Sequence, residues 1–505
     1  MTPRDERPLT GRIGSGPHDL LRTEILEPQM RLELDRLLPW YVRLEKVLLL
    51  EYLRMGLMDE AEALAIARAL DQAGPEALEA HARSAMSDLA FTLESFVTGR
   101  LERVPQAWHV DRSRNDLQAA AQALFCGARL LDVVDGLLAF GRAAHRLATA
   151  TADMVMPGYT HLQAAQVITP GFYLAALCDQ TAHALRRLEP VYLTAAATPM
   201  GAGAMSGQEL PWDRERMARL LGCQGVRLHA LRAVAGRDWA LEATAELSLL
   251  GVVLSRFTTD LMAWGGAGHR FVDLPDEWSG ISSAMPQKKN FPVLERIRGK
   301  TAHLLSGYVD VAAGQRNTSY SNSVEVSKEA GARVPETFDT AESVLRLFTA
   351  VLDRLEFRAD RMRAACEEDH LGGFTLANLL TLHRRVPWRT AQVIAGRYIV
   401  AAERKGLTAL TPDPALLAEA AAEQGHSLAD PGELLREAFD VDRALTAKRT
   451  PGSAHPERVR ELLGELEAEF DRSEKRWRGH RERLDGGLAE IDRAFARLTP
   501  GRQAG

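Results

Sequence analysis

A polar segment at residues 279–292, SGISSAMPQKKNFP, carries the densest group of reactive side chains in the sequence. Ser282 can act as a base only if its alkoxide is stabilised, and Lys288 with loop N–H groups could supply that stabilisation. Asn290 adds an amide donor beside them. The glycine and proline in the segment favour a loop that closes over a substrate. The alternative is an ordinary solvated loop. The unusual spacing of the polar residues in this segment raises the question of a catalytic role.

Two other polar clusters offer complementary chemistry. Arg114 and Asn115 lie in SRND, at the predicted start of a long helix. Their guanidinium and amide groups, with helix-terminal N–H groups, suit a carboxylate, although a capped helix with a surface arginine is the alternative. In MPGYTHLQAAQ, His161 lies in a polar turn between Thr160 and Gln163. Imidazole titrates near neutrality, so we predict a proton carrier there rather than a structural histidine.

Rival chemistries fail on spacing. GISSA is close to the GxSxG nucleophile turn, but DLPDEW before it is not a strand. The SxxK spacing fails because the residue three beyond Ser283 is Pro286. GAGAMSG lacks both GxGxxG and the strand–helix setting of a phosphate loop, so it is predicted to be a tight interhelical connection.

Long helices must position these clusters. Apolar residues recur at steps of three and four in three sets: Leu130, Val133, Leu137, Phe140, Ala144 and Leu147; Leu247, Leu250, Leu254, Phe257 and Leu261; Leu294, Ile297, Thr301, Leu304, Tyr308 and Val311. Such stripes pack nearly parallel helices. The first segment runs for about thirty residues without proline, or roughly 45 Å as a helix. The pattern predicts an all-α bundle.

The chain divides into three predicted helical domains. An N-terminal domain is expected over 1–108, a central long-helix bundle over 109–362, and a smaller C-terminal domain over 363–505. The division rests on loops rich in proline and glycine and on weaker apolar periodicity after residue 360. Charge-rich residues 465–495 are predicted to form a solvated terminal helix.

Composition favours a soluble cytoplasmic protein. The 505 residues are 46% hydrophobic and 26% charged, as in globular proteins, and a net charge of −6 argues against nucleic acid or an anionic membrane as partner. The N-terminus has no apolar signal region, and no apolar run approaches the ~20 residues of a membrane helix. Four widely separated cysteines show no metal-ligand spacing and are expected as buried thiols.

With these clusters in place, the sequence resembles the argininosuccinate lyase family of the fumarase and aspartase superfamily. The matching stretches span nearly the whole chain: SRND, MPGYTHLQAAQ, PMGAGAMSGQELPWDRE, AVAGRD, SSAMPQKKN with VLERIRGKT, TLANLL, VPWRTAQ and GSAHPERV. The resemblance implies a homotetramer whose central bundle of long helices forms the core. It also implies active sites assembled from three subunits, and elimination of fumarate from an N-succinyl compound without metal or organic cofactor.

The resemblance also implies roles for individual residues. Ser282 would abstract the proton, Lys288 would hold a succinyl carboxylate, and His161, oriented by Glu295, would protonate the departing nitrogen. The division of proton transfers between Ser282 and His161 stays open. The implied substrate-binding residues are Arg114, Asn115, Thr160, Gln163, Asn290, Tyr320, Glu325 and Lys328.

Departures from the family pattern cluster on the side expected to bind the leaving amine. Residues 28–31 read PQMR where Asn-Ala-Ser-Ile is usual, so Met30 replaces a serine, and an ungapped reading puts Val97 where a histidine is usual. Glu325 stands in place of glutamine. A carboxylate there repels a substrate carboxylate and favours a cation. Smaller changes are Ile281, Phe291, Asp111 and Leu117.

Four hypotheses therefore remain open. The chain is an ordinary argininosuccinate lyase with sequence drift, or it retains the succinyl half of the site and accepts a different amine. A catalytically silent structural relative is disfavoured because Ser282, Lys288, Asn290, His161 and Glu295 are intact. A regulatory partner in a larger assembly is disfavoured because no extra domain or long charged tail is visible.

Overall fold

The computed structural model describes residues 16–82 and 88–498. The N-terminal stretch that is predicted to lack a secretory signal lies largely in residues 1–15, outside the described residues. Twenty α-helices make up most of the described chain, which confirms the all-α prediction. Their bounds are α1 Asp19–Leu21, α2 Glu27–Arg36, α3 Leu38–Arg54, α4 Glu60–Asp71, α5 Pro75–Ala82, α6 Leu89–Thr98, α7 Arg114–Ala150, α8 Pro170–Ala195, α9 Arg214–Leu220, α10 Ala230–Ala235, α11 Asp238–Gly265, α12 Pro292–Gln315, α13 Val334–Leu352, α14 Ala359–Glu368, α15 Gly373–Arg384, α16 Trp388–Arg404, α17 Pro414–Ala422, α18 Pro431–Phe439, α19 Val441–Thr446 and α20 Pro456–Leu498.

Short irregular helices and four two-stranded sheets complete the described structure. π-Helical turns span Arg22–Leu26 and Glu325–Glu329, and a 3₁₀ turn spans Asp276–Trp278. The strands are β1 Met156–Thr160, β2 Gln163–Ile168, β3 Ala197–Thr198, β4 Gly225–Val226, β5 Val272–Asp273, β6 Gly280–Ile281, β7 Lys289–Asn290 and β8 Glu356–Phe357. β1 pairs with β2, β5 with β8 and β6 with β7, all antiparallel, whereas β3 and β4 are parallel.

Five long helices form the bundle. α7 packs against α8 and α13, and α11 packs against α8 and α12. The three predicted apolar stripes lie on α7, α11 and α12, where most of their residues are buried. α7 has 37 residues, longer than expected, and so extends about 55 Å at 1.5 Å per residue.

The described residues contain two large apolar clusters. The larger one joins residues of the bundle, the N-terminal helices and α20, and the second contains residues between Leu376 and Phe439. The domain boundaries at 108 and 362 stay a prediction. α20 is helical as expected, but the prediction that it is solvated is wrong along one face. Phe470, Trp477 and Ile491 repeat with helical spacing, so they lie on one face of α20. That face is buried against the bundle.

One described helix, α11, is long and apolar enough by length and composition to cross a membrane. It packs against α8, α12 and α13, and its buried residues belong to the main core. This packing identifies it as a helix of the bundle. All four cysteines are buried and free, as predicted.

Candidate active site

The start of α7 holds Arg114 and Asn115 as the sequence predicts. Ser113 caps the helix, and its hydroxyl accepts a 3.1 Å hydrogen bond from the Asn115 backbone N–H. The Asn115 side-chain amide donates to the Ala204 carbonyl at 3.0 Å. Arg114 therefore lies in the first turn of α7, where the free helix N–H groups favour an anion.

Arg114 already has an internal carboxylate partner. Its Nη1 lies 2.8 Å from Asp88 Oδ2, and its guanidinium carbon lies 4.0 Å from the centre of the Phe91 ring. The side chain is still 47% exposed, so its fork can accept a second anion. Val97 is fully buried in the core, whereas Glu94 lines the cavity next to Arg114. The alignment of Val97 with the histidine that is usual in the family stays a prediction.

The glycine-rich connection after α8 is docked onto α7 by Asp116. This carboxylate accepts backbone N–H bonds from Gly201 at 3.1 Å and Gly203 at 2.9 Å. Burial raises the pKa of Asp116 to about 7, although these N–H groups and Arg112 oppose the shift. Gly201 and Gly203 have positive φ, and a Cβ on Gly203 would lie 2.5 Å from the Gly207 carbonyl oxygen. The loop is a tight interhelical connection, as predicted.

The segment carrying Tyr320, Glu325 and Lys328 returns to this same end of α7. Arg237 is only 2% exposed and donates to Gln122 Oε1 at 3.0 Å and to Asn322 Oδ1 at 3.1 Å. Gln122 in turn donates to the Ser327 carbonyl at 2.7 Å. These bonds hold the segment against α7 and the start of α11.

Lys328 forms an ion pair with Glu33 of α2. The carboxylate is 3% exposed and the lysine side chain is 14% exposed, so the pair is largely shielded from water. Glu33 also accepts a 3.1 Å hydrogen bond from the Leu89 backbone N–H. The lysine expected to contact the substrate is therefore neutralised by a side chain that sequence reasoning did not single out.

The Lys328–Glu33 pair borders a cavity of about 260 Å³, called the amine cavity below. Pro28 and Gln29, two of the residues that depart from the family pattern, line it. Met30 does not, because it is buried with its sulfur 3.9 Å from the Thr92 hydroxyl. The missing serine hydroxyl is thus replaced by a helix-packing contact.

Glu325 begins the π-helical turn that carries Lys328 and is exposed. A hydrogen bond from its own backbone N–H lowers the pKa of Glu325, so this carboxylate is ionised at neutral pH. Tyr320 is also exposed, at 61%. Both side chains are available to a substrate on this side of the site.

Thr160, His161 and Gln163 lie on a β-hairpin that follows the other end of α7. Thr160 pairs with Gln163, and the two turn residues, His161 and Leu162, have φ of 53° and 63°. Positive φ at both turn positions matches a type I′ turn, whose twist suits a two-residue hairpin. His161 is exposed at the hairpin tip, in the polar turn that the sequence predicts.

The segment with Ser282, Lys288 and Asn290 is a loop closed by β6 and β7. Gly280 pairs with Asn290, and the Ser282 hydroxyl oxygen accepts a 3.1 Å bond from the Met285 backbone N–H. This bond favours negative charge on the serine oxygen. Glu295 is exposed in the first turn of α12, just beyond the loop.

The two lysines of this loop have different surroundings. Lys289 bridges Asp273 at 3.2 Å and Asp276 at 3.0 Å, and both carboxylates raise its pKa against the opposing effect of burial. Lys288 is exposed and makes no ion pair within the described residues. Its ammonium is therefore available to an anion, and the role of Lys288 stays a prediction.

The predicted site residues fall into two groups at opposite ends of the bundle. The near group surrounds the start of α7 and contains Arg114, Asn115, Tyr320, Glu325 and Lys328. The far group follows the end of α7 and contains Thr160, His161, Gln163, Ser282, Lys288, Asn290 and Glu295. α7 and α11, which are about 55 and 42 Å long, separate the two groups.

Within the far group, the Tyr159 hydroxyl lies 3.4 Å from His269 Nδ1, which links the hairpin to the chain leading into the loop.

Several organising residues escaped sequence reasoning. The position of Glu33 could have indicated a buried carboxylate, because it falls on the apolar face of α2 with Met30 and Leu34. Arg237 lies in the AVAGRD motif, but the motif alone does not reveal that its side chain is buried. Asp88 gave no comparable signal.

Comparisons with known proteins identify the family and the fold of the chain. A lyase family model matches residues 54–305. Argininosuccinate lyase of Methanothermobacter thermautotrophicus is 30% identical over 423 residues, covering 83% of this chain and 90% of the relative. Argininosuccinate lyase of Pelotomaculum thermopropionicum is 32% identical over 420 residues, covering 81% and 88%.

Solved structures share the fold. EDDS lyase in complex with formate superposes with a TM-score of 0.86 at 23% identity, covering 96% of each chain. A fumarate lyase from Mesorhizobium sp. BNC1 gives a TM-score of 0.70 at 19% identity, covering 90% of this chain and all of the other. The fold is thus the fumarase and aspartase fold, as predicted. The chain belongs to the argininosuccinate lyase family, and it is a carbon–nitrogen lyase.

Proposed function

We propose that the chain eliminates fumarate from an N-succinyl compound, with argininosuccinate, cleaved to arginine and fumarate, as the first candidate substrate. The observation that carries this function is the complete SSAMPQKKN loop in a chain of the argininosuccinate lyase family. The loop is exposed, its serine oxygen accepts a backbone N–H, and the Lys288 ammonium is available. These features suit a loop that binds a dianionic substrate better than a loop with only a structural role.

The proposed reaction breaks a C–H bond and a C–N bond. Ser282, as the alkoxide, takes the proton next to a succinyl carboxylate, and the electron pair left behind forms an aci-carboxylate. Lys288 and Asn290 stabilise that charge. The electrons then form the double bond of fumarate while the C–N pair leaves with nitrogen. His161, oriented by Glu295, gives that nitrogen a proton. Preorganised donors of this kind supply most of the rate enhancement in many enzymes.

Binding is divided between the two halves of the substrate. Arg114, Asn115, Thr160, Gln163 and Asn290 are proposed to hold the succinyl carboxylates, because they offer a guanidinium, amides and a hydroxyl. Tyr320, Glu325 and Lys328 are proposed to contact the leaving amine. The ionised Glu325 and the neutralised Lys328 favour a second candidate, a succinyl derivative of a different amine.

A homotetramer with each site shared by three subunits is part of this proposal. One chain keeps its near and far groups at opposite ends of long helices, so antiparallel neighbours are needed to bring them together. The outer faces of α11 and α12 support such contacts. Leu249, Val252, Leu305 and Val309 are each 46–54% exposed there, at helical spacing. We place this assembly in the cytoplasm.

Release of fumarate from argininosuccinate, followed by its ultraviolet absorbance, tests the function. Ser282→Ala should lower kcat by roughly a hundredfold or more, because the proton-abstracting group is lost. Ser279→Ala is the matched control, since that hydroxyl donates to the Leu274 and Pro275 carbonyls just before the loop and its loss should leave kcat near wild type. Full turnover by Ser282→Ala would overturn the role of this serine. Absence of fumarate from every succinyl amine would overturn the function.

A further inference from the structure

Among the residues that the structure describes, the lining of the amine cavity has no unpaired cation. Lys328 is paired with the buried Glu33. The other cation in its lining, Arg36, lies 2.8 Å from Asp35 and 3.0 Å from Asp339. Both positive groups of the cavity are therefore balanced by carboxylates of the same chain.

Carboxylates outnumber cations in this lining. Glu24 and Glu329 are exposed at the cavity and, within the described residues, form no ion pair. Glu33 adds a third acid, against the two cations Arg36 and Lys328. Three acids and two cations give the lining a net charge of −1, which favours a positive group over a carboxylate.

The walls of the cavity are largely apolar. Ile25, Leu32, Phe125, Trp239 and Val334 line it. An alkyl chain would gain from contact with these side chains, at roughly 25 cal/mol for each Å² of apolar surface buried. The combination of apolar walls and unpaired acids matches a short alkyl chain that ends in a cation.

We propose that the amine cavity receives the leaving amine and selects one that carries a second positive charge and no carboxylate, such as an alkyl diamine. This inference rests on the proposed fumarate elimination. For the amine half it chooses the second candidate, a succinyl derivative of a different amine, over argininosuccinate, because arginine carries a carboxylate. The bonds broken and formed are unchanged: fumarate leaves, and the diamine takes the C–N electron pair and a proton. Glu33 acts as the specificity residue because it removes the free ammonium that a carboxylate would need.

Three fumarate adducts with the same four-carbon chain test the selection. The amines are putrescine, butylamine and γ-aminobutyrate, which end in a cation, a neutral methyl group and a carboxylate; argininosuccinate is the fourth substrate. The full chain should release fumarate from the putrescine adduct with a kcat/KM at least about tenfold above each of the others. An equal or higher kcat/KM for the γ-aminobutyrate adduct or argininosuccinate would overturn the selection while leaving fumarate elimination intact. No fumarate from any adduct would overturn both.

A variant connects the preference to Glu33. Glu33→Gln frees the Lys328 ammonium and should shift the ratio of kcat/KM for the putrescine and γ-aminobutyrate adducts at least about tenfold toward the carboxylate. Glu27→Gln is the matched control, because it removes an acid from the same helix outside the cavity lining. An unchanged ratio in a folded Glu33→Gln variant would contradict the role of Glu33. If that variant does not fold, the wild-type comparison of adducts still decides the selection.

Discussion

Asp116 connects the start of α7 to the glycine-rich loop through two backbone N–H groups. Its carboxyl is 2% exposed, and burial raises its pKa to about 7. Neighbouring Asn115 bonds the same loop through its amide. The geometry of the near group therefore depends on a carboxyl whose charge changes close to neutral pH.

This pKa predicts a pH dependence of stability. The folded state holds the Asp116 proton up to about pH 7, whereas the unfolded chain releases it near pH 4, so the free energy of unfolding should fall as pH rises between these values. The difference is about 4 kcal/mol at most. Asp116→Asn keeps an oxygen acceptor without a titratable proton, and urea unfolding at several pH values should show a flatter profile.

The control for this prediction is Asp485→Asn, which changes an exposed acid on α20. It should retain the wild-type slope of unfolding free energy against pH. A wild-type slope in Asp116→Asn as well would show that Asp116 does not titrate in this range.

Sequence reasoning at the residue scale succeeded where a local motif specified a local position. Ser113 to Asp116 begin a helix as predicted because capping and helix start are encoded by adjacent residues. The pairing of Lys328 with Glu33 was missed because the partners are 295 residues apart. A carboxylate on an apolar helix face indicates a buried ion pair, but the sequence does not identify the cation that pairs with it.

At the scale of elements, close packing of α20 on α7 depends on one glycine. A Cβ on Gly141 would lie 2.8 Å from the Phe470 ring and 3.1 Å from the Thr181 methyl group. Phe470 is fully buried, so its ring has little room to move. The two helices approach at this point because Gly141 has no side chain.

Gly141→Ala should therefore destabilise the protein by about 1–3 kcal/mol, because overpacking a rigid core costs more than the gain in helix propensity. Denaturant unfolding measures the change. Gly136→Ala on the same helix is the matched control, since its Cβ would meet Leu345 at an ordinary 3.5 Å. That control should be neutral or stabilising by up to about 1 kcal/mol. Equal effects at both glycines would contradict the packing argument.

The elements themselves were largely predictable because wide apolar stripes identify bundle helices. α7, α11 and α12 contain the three stripes. The buried face of α20 was missed because its apolar stripe is narrow among many charges. The hairpin of β1 and β2 was expected only as a polar turn, since its strands are short and lack alternating polarity.

At the scale of the whole molecule, the separation of the near and far groups predicts complementation between inactive variants. Arg114→Ala and Ser282→Ala alter opposite ends of the same chain. In mixed tetramers, a site that takes Arg114 from one chain and Ser282 from another is intact when both donors are wild type at those positions. Random mixing makes about a quarter of the sites intact, so about a quarter of wild-type activity should return.

A pair of variants within one loop provides the control. Ser282→Ala and Lys288→Ala alter the same loop, so every site in a mixed tetramer lacks one of the two groups and activity should stay low. Fumarate release after co-expression measures both mixtures. Recovery in the control, or none with Arg114→Ala and Ser282→Ala in a mixed tetramer, would contradict a site shared between chains. The sequence predicts the proposed tetramer only through family resemblance, because periodicity within one chain carries no information on how chains pair.

The long contact of α20 with α3, α7 and α8 has a consequence during synthesis. α20 follows every other described helix along the chain, yet its buried face belongs to the same apolar core as the N-terminal helices. While the ribosome is still translating it, the groove that it will fill on α7 and α8 stays open to water. The bundle thus closes only after translation of this helix, and a nascent chain would expose that groove to chaperones until then.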